Sequence, residues 1–153
     1  MHTIPELKHQ LERESKMKEY NSLREKIAAE KAERQERYAT FTTIWERATE
    51  AGHKAAMSCT PKPMGVYDPQ SGQQWIVSDG PCGFAEIRLT KGNTSFARWA
   101  KSNAGFKKHY YGGLYHWVSA YNQSMERKYA FAKAACEVLK ENGIDCFPTS
   151  RMD

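Results

Sequence analysis

The sequence predicts an α+β protein in which a long charged helix precedes a small two-layer domain. The chain has 153 residues, which suits one ordinary domain with an extension. Its first third is rich in charged, helix-forming residues and contains a single proline. From residue 84 onward, strand-like and helix-like apolar periods alternate. We therefore expect the order strand, helix, strand, helix, strand in that second part.

The first element is a helix that begins at Pro5, a residue suited to a first helical turn, and continues to about Glu50. Opposite charges three or four residues apart, such as Glu12 with Lys16, support a helix that is exposed to water. We expect Gly52 to end this helix. Its apolar positions fall at spacings of three and four and are Leu7, Leu11, Tyr20, Leu23, Ile27, Tyr38, Phe41, Trp45 and Ala48.

Two features of this helix leave its role open. A break is expected near residues 40–43, and the portion from Tyr38 to Ala48 is expected to pack on the globular part. The earlier portion is either a dimerisation arm or docking handle, which would form a homo-oligomer, or a disordered leader before about Glu36. The gaps in its apolar stripe fall on charged residues such as Lys31 and Arg34, so a continuous coiled coil is not expected.

The next segment, residues 53–83, is rich in proline and glycine and is predicted to be a linker of loops and turns. Within it, VYDPQSGQQWIV reads as a hairpin around residues 68–72. The predicted domain organisation is therefore a helical extension at 1–52, this linker at 53–83 and a compact α+β domain at 84–153.

The compact domain begins with FAEIRL at residues 84–89, which alternates as a half-buried strand does. Asn93 or Thr94 then caps a short helix that continues through Ser102. We expect a strand at 114–119, preceded by Gly112-Gly113 as a turn or a close approach of the backbone. The clearest helix starts at Asn122 or Ser124 and ends at Gly143, and residues 144–147 form the last predicted strand.

The charge distribution points to an anionic partner. The formal net charge is +5, and the whole excess lies in residues 52–153. No acid occurs between Glu86 and Glu126, and six cations do. We predict a nucleic-acid-binding surface, for DNA or RNA, formed by these cations and two neighbouring tyrosines: Arg88, Lys91, Arg98, Lys101, Lys107, Lys108, Tyr110 and Tyr111. The large rings of Phe96, Trp99 and Trp117 are expected in the core.

Several function classes find no support in the sequence. The chain has no P-loop, no G-x-G-x-x-G, no H-E-x-x-H and no G-x-S-x-G pattern. His109 and His116 lie seven apart and could do metal-free phosphodiester chemistry, but nothing in their spacing demands it. We therefore expect neither an enzyme nor a cofactor.

Metal binding and membrane insertion are not expected either. The four cysteines contain no C-x-x-C pair. His53, Cys59 and Cys82 could converge on a metal, but unpaired, partly buried thiols are the simpler interpretation. No segment has the apolar length of a membrane span or of a secretory signal, which favours a cytosolic protein.

Three stretches of the C-terminal half, SFARWAKSN, YYGGLYHWVSAYNQSMERKYAFAKA and VLKENGIDCFPTSRMD, resemble small uncharacterised proteins of tailed bacteriophages. The resemblance implies a phage accessory protein that works in the cytoplasm of an infected bacterium. It transfers no catalytic residue, and the N-terminal helix lies outside it.

Two functions follow as hypotheses. The first is non-enzymatic nucleic-acid binding through the basic, aromatic surface. The alternative is an interaction module that binds and inhibits a host protein, such as a defence or transcription component. Its anchors would be Tyr110, Tyr111, Tyr115 and Trp117. The dependence of affinity on salt distinguishes the two hypotheses, because phosphate binding weakens steeply with ionic strength and binding through an aromatic protein interface does not.

Overall fold

The structure is a computed structural model that describes residues 1–153. It has the α+β class that the sequence predicts, with a long N-terminal helix followed by a small domain of sheet and helices. The elements are α1 (Ile4–Ser58), β1 (Met64–Tyr67), β2 (Gln74–Val77), β3 (Gly83–Leu89), α2 (Ser95–Asn103), β4 (Lys107–Lys108), β5 (Leu114–Trp117), α3 (Met125–Glu141) and β6 (Cys146–Met152). The short strand β4 is the one element of the compact domain that was not predicted. None of the three helices has the length and apolar character that crossing a bilayer requires.

The chain divides into two units, Met1–Thr40 and Phe41–Asp153. These limits differ from the predicted boundaries after residues 52 and 83. The first unit is the N-terminal part of α1, and its apolar side chains, Leu7 and Leu23 among them, are exposed. The predicted break at 40–43 is wrong, because α1 is helical throughout that range.

In the second unit, the last part of α1 belongs to the core, as the sequence predicts for residues up to Ala48. Ile44 and Ala48 are buried, and Phe41 and Trp45 pack against the same cluster. The Phe41 ring lies 5.4 Å from that of Phe96, edge to face. This segment is therefore part of the compact domain and not of an extension.

Gly52 does not end α1, which continues to Ser58. A Cβ atom at this position would lie 2.7 Å from Cδ2 of Phe131, a residue of α3. The glycine therefore permits a close approach of α1 and α3. The prediction of a helix stop was wrong because a glycine that ends a helix and one that admits a neighbouring ring look alike in sequence.

The central sheet has four antiparallel strands in the order β4-β5-β3-β6. Strand β3 lies in its middle and alternates as predicted. Ala85, Ile87 and Leu89 are buried, whereas the residues between them are only partly buried. The buried set joins one cluster with residues of all three helices, so the helices share one face of the sheet and the fold has two layers.

The helix starts were also predicted correctly. The Thr94 hydroxyl accepts a hydrogen bond from the backbone N–H of Ala97 at 3.1 Å and caps α2. The Ser124 hydroxyl accepts from the N–H of Arg127 at 3.3 Å, caps α3 and donates to the carbonyl oxygen of Asp79 at 2.9 Å. Strands β1 and β2 form the predicted hairpin as a separate antiparallel sheet.

Candidate functional site

One face of the four-stranded sheet carries no helix, and we call it the open face. It is defined by alternate residues of β3 and by their partners in register on β5 and β6, since directly paired residues share a face. Its members are Phe84, Glu86, Arg88, Tyr115, Trp117, Phe147, Thr149 and Arg151. Aromatic and cationic side chains make up six of these eight residues.

The residues of the open face, except Phe147, form the floor of a concave site of about 540 Å³, which we call the open-face pocket. Its wall is the segment Lys108–Tyr111, which begins at the last residue of β4. A volume of this size is within the range of about 300 to 1,000 Å³ that is typical of ligand sites.

A tight turn holds the wall in place. The N–H of His109 donates to the carbonyl oxygen of Gly113 at 3.0 Å, and the N–H of Gly112 donates to that of His109 at 3.1 Å. Gly113 has φ +68°, and a Cβ there would collide with the carbonyl oxygen of Leu89. The close approach predicted for this Gly-Gly pair is therefore confirmed, and it brings the turn against β3.

His109 links the turn to the floor. Its Nδ1 accepts a hydrogen bond from the backbone N–H of Tyr111 at 3.0 Å, and its Nε2 lies 3.3 Å from Oε1 of Glu86. Because Nδ1 is an acceptor, the neutral ring has its proton on Nε2, which faces the carboxylate. Nδ1 is therefore bonded within the wall, and Nε2 faces the floor.

His116 lies on the opposite face of the sheet. It pairs in register with the buried Ile87, and its ring contacts that of Trp45 at 5.0 Å. Its Nδ1 lies 3.0 Å from the carbonyl oxygen of Ala104, and burial lowers the pKa of the imidazole from its ordinary value of 6.5. The two histidines therefore do not form the acid–base pair that their spacing leaves open.

Two arginines border rings of the open face. The Arg88 guanidinium lies 5.2 Å from the centroid of the Phe147 ring and donates from Nη2 to the carbonyl oxygen of Gly112 at 3.3 Å. The Nε of Arg88 is buried and has no hydrogen-bond partner. The Arg151 guanidinium lies 5.4 Å from the centroid of the Phe84 ring. Both cations are thus held near aromatic faces by cation–π contacts.

The rings of the pocket present a stacking surface. Phe84 and Trp117 lie side by side, with centroids 5.0 Å apart and planes inclined by 39°. Trp117 remains 39% exposed, and Tyr110 and Tyr111 on the wall are 92% and 82% exposed. Exposed rings next to cations indicate a site for a planar or anionic ligand.

The structure brings together four of the eight residues predicted for the site. Arg88, Lys108, Tyr110 and Tyr111 line the open-face pocket. Lys107 is exposed on β4 beside it but does not line it. The remaining three lie elsewhere: Lys91 lines a second cavity of about 380 Å³, and Arg98 and Lys101 are on α2.

Of the pocket floor, the predicted site residues include only Arg88. Phe96 and Trp99 are buried as expected, but Trp117 is not in the core. Alternation along β5 turns Leu114 inward and Trp117 outward, a signal that the strand pattern already contained. Arg151 could not have been found in this way, because the last strand was expected to end at residue 147.

No protein-family model, no curated protein and no solved structure matches this chain. The resemblance of the C-terminal half to small bacteriophage proteins therefore stays a prediction. No group of three or more His, Cys, Asp or Glu side chains lies close enough together to hold a metal ion. His53 contacts Tyr121 instead, with Nδ1 2.8 Å from the phenol oxygen.

Proposed function

We propose that the protein binds single-stranded nucleic acid, without catalysis, in the open-face pocket. The observation that carries the proposal is the pair of rings Phe84 and Trp117, which lie on a helix-free sheet face between Arg88 and Arg151. Four-stranded sheets that present aromatic side chains are a recurring means of stacking unpaired bases.

The binding energies of the two parts of a nucleic acid, its bases and its phosphates, fit this arrangement. Stacking of a base on an aromatic side chain contributes about 1 to 3 kcal/mol, as judged by alanine substitution. Phosphates beside the stacked bases would meet Arg88, Arg151 and Lys108, and each contact would release condensed counterions. The bases and the backbone of one strand can therefore be engaged together.

An unpaired strand suits the pocket better than a duplex does. In a duplex the base faces are stacked on one another, so rings on the floor of a concave site cannot reach them. A duplex would contact only the lysines of the rim, which would give weak binding without stacking.

Binding without catalysis fits the chemistry of the site. In the neutral ring of His109, the one imidazole that lines the pocket, the acceptor nitrogen Nδ1 is occupied by the N–H of Tyr111. A general base needs a free nitrogen within reach of the proton that it abstracts. As part of the proposal, the protein acts in the cytoplasm of an infected bacterium, which the resemblance of the C-terminal half implies.

Fluorescence anisotropy with labelled single- and double-stranded DNA and RNA, over a series of salt concentrations, tests the proposal. We expect single strands to bind more tightly than duplexes and the affinity to fall steeply with salt. Absence of binding to every probe at low salt would refute it. The alternative, an inhibitor of a host protein, would then account for the exposed rings.

Matched charge variants test the location of the site. Lys107→Glu with Lys108→Glu, and Lys91→Glu with Lys101→Glu, each lower the formal net charge by four, from +5 to +1. Both pairs belong to the same acid-free stretch, but only the first lies at the pocket. We expect the first variant to lose most of its affinity for single strands and to show a smaller salt slope than the second. Equal losses would indicate a diffuse electrostatic attraction and no defined site.

A further inference from the structure

Glu86 is the only acidic residue that lines the open-face pocket. It lies at the middle of β3, with Trp117 as its partner on β5 and Thr149 as its partner on β6. A carboxylate at the centre of a site with three cations opposes the binding of phosphate. The position of this carboxylate therefore favours contact with a ligand group other than phosphate.

The geometry leaves half of this carboxylate free. Oε1 lies 3.3 Å from Nε2 of His109. Oε2 is not a buried atom without a partner, so it is open to the pocket. The side chain is only 18% exposed. A ligand that enters the pocket displaces water from this carboxylate, so it must supply donors for the lone pairs or bind at a cost.

A cationic ligand could supply such donors, since rings with a carboxylate also form sites for ammonium groups. The other charges of the pocket argue against it. Arg88, Lys108 and Arg151 line the same space, and the Lys128 ammonium lies 5.6 Å from the Phe84 ring on the floor. The donors must therefore come from a neutral group that is planar enough to stack on the rings.

We propose that Glu86 accepts hydrogen bonds from the Watson–Crick edge of a guanine stacked in the pocket. This inference rests on the proposed single-strand binding and specifies which base it prefers. Guanine presents two adjacent donors on that edge, N1–H and the N2 amino group, which match the two oxygens of one carboxylate. His109 holds the carboxylate from its other side.

The other bases match Glu86 less well. Adenine and cytosine each present one amino donor beside a ring nitrogen that is an acceptor, and that nitrogen repels the second carboxylate oxygen. Thymine and uracil present one N–H between two carbonyl oxygens. A site that hydrogen-bonds a donor edge discriminates strongly against bases without it, because its polar groups are then left unpaired. The expected order of affinity is guanine, then adenine and cytosine, then thymine and uracil.

The test uses labelled oligothymidine strands that differ at one central position, which is guanine, inosine, adenine, cytosine or thymine. All strands have the same phosphates, so differences in affinity report the base alone. We expect the guanine strand to bind about tenfold more tightly than the thymine strand. Inosine, which lacks only the N2 amino group, should lie between them.

Glu86→Gln identifies the residue that reads the base, with Glu141→Gln on the exposed surface of α3 as the matched control. We expect Glu86→Gln to remove the difference between guanine and inosine and Glu141→Gln to keep it. A guanine preference that survives in Glu86→Gln would overturn the inference. So would a uniform gain of affinity for every strand, which would mean that Glu86 only repels phosphate.

The wild-type measurements keep the inference testable if Glu86→Gln does not fold. Equal affinity for all five strands with a steep salt dependence would refute the guanine preference and leave single-strand binding intact. Absence of binding to every strand would refute both.

Discussion

At the scale of single residues, the two exposed tryptophans of the protein distinguish stacking of a base from nonspecific binding to any exposed aromatic side chain. Trp117 is 39% exposed on the open face, and Trp75 is 48% exposed on the β1–β2 hairpin outside the pocket. We expect Trp117→Ala to weaken single-strand binding by about 1 to 3 kcal/mol, the contribution of one stacked base. Trp75→Ala should leave the affinity unchanged. Anisotropy titrations compare the two variants, and similar losses in both would contradict a stacking role for Trp117.

A second residue-scale prediction concerns His116 and the stability of the fold. Because burial lowers its pKa in the folded state, the unfolded chain takes up a proton first as the pH falls. The free energy of unfolding should therefore be highest above the ordinary pKa of 6.5 and decrease as the pH falls below it. Urea denaturation between about pH 7 and pH 5 measures this decrease.

Two histidine variants assign that pH dependence to its source. His116→Asn keeps a donor for the carbonyl oxygen of Ala104 but does not titrate, so its stability should change less with pH. His9→Gln removes an exposed histidine of α1 and should behave as the wild type does. Parallel curves for His116→Asn and the wild type would show that another group is responsible.

At the scale of elements, the contact of α1 with α3 depends on Gly52. Alanine there would gain about 1 kcal/mol of helix propensity, but its Cβ would meet the Phe131 ring at 2.7 Å. We expect Gly52→Ala to be destabilising, since overpacking costs about 1 to 3 kcal/mol. Adding Phe131→Leu should recover part of the loss, and Gly65→Ala, with nothing within 4 Å, is the control. Urea midpoints measure all three, and a more stable Gly52→Ala protein would show that the ring moves aside easily.

Elements were predictable from the sequence where one local signal decides them. Thr94 and Ser124 are capping residues with a helical period directly after them, so the starts of α2 and α3 were found. Strand β6 was expected to stop before Pro148, yet it continues to Met152. It is an edge strand, paired only with β3, and an edge strand accepts a proline whose missing N–H faces away from its neighbour.

The difference between local sequence signals and long-range pairing also explains which part of the candidate site was predictable. Lys108, Tyr110 and Tyr111 are neighbours in sequence, and composition alone identified them. Phe84 and Arg151 are far apart in sequence and meet only because β3 pairs with β6 in that register. Register depends on long-range pairing, which no local pattern in the sequence specifies.

At the scale of the whole molecule, the boundary after Thr40 divides α1 between the two units. The residues of α1 before it are exposed and belong to no buried cluster. A homo-oligomer through this part of the helix stays a prediction. After the boundary, Ile44, Ala48 and Ala56 belong to the core of the second unit. The open-face pocket is lined entirely by residues between Phe84 and Arg151.

Two shortened chains test this division. A chain of residues 41–153 retains every residue of the core, so we expect its free energy of unfolding to stay within about 1 kcal/mol of the full chain. A chain of residues 53–153, which begins after Gly52, lacks Ile44 and Ala48 and uncovers the rings of Phe96 and Phe131. It should lose several kcal/mol, a large part of the roughly 5 to 15 kcal/mol that stabilises a typical domain.

Urea denaturation and single-strand binding, measured on both chains, distinguish the outcomes. The longer chain should unfold cooperatively and bind as the full protein does, because its pocket is complete. The shorter chain should lose its cooperative transition and, with it, the register that forms the pocket. If the chain of residues 53–153 folded as stably as the longer one, the last part of α1 would be an appendage, as the sequence boundary at residue 52 implies. If instead the chain of residues 41–153 unfolded readily, the residues before Phe41 would be needed for the core, and the division into two units would be wrong.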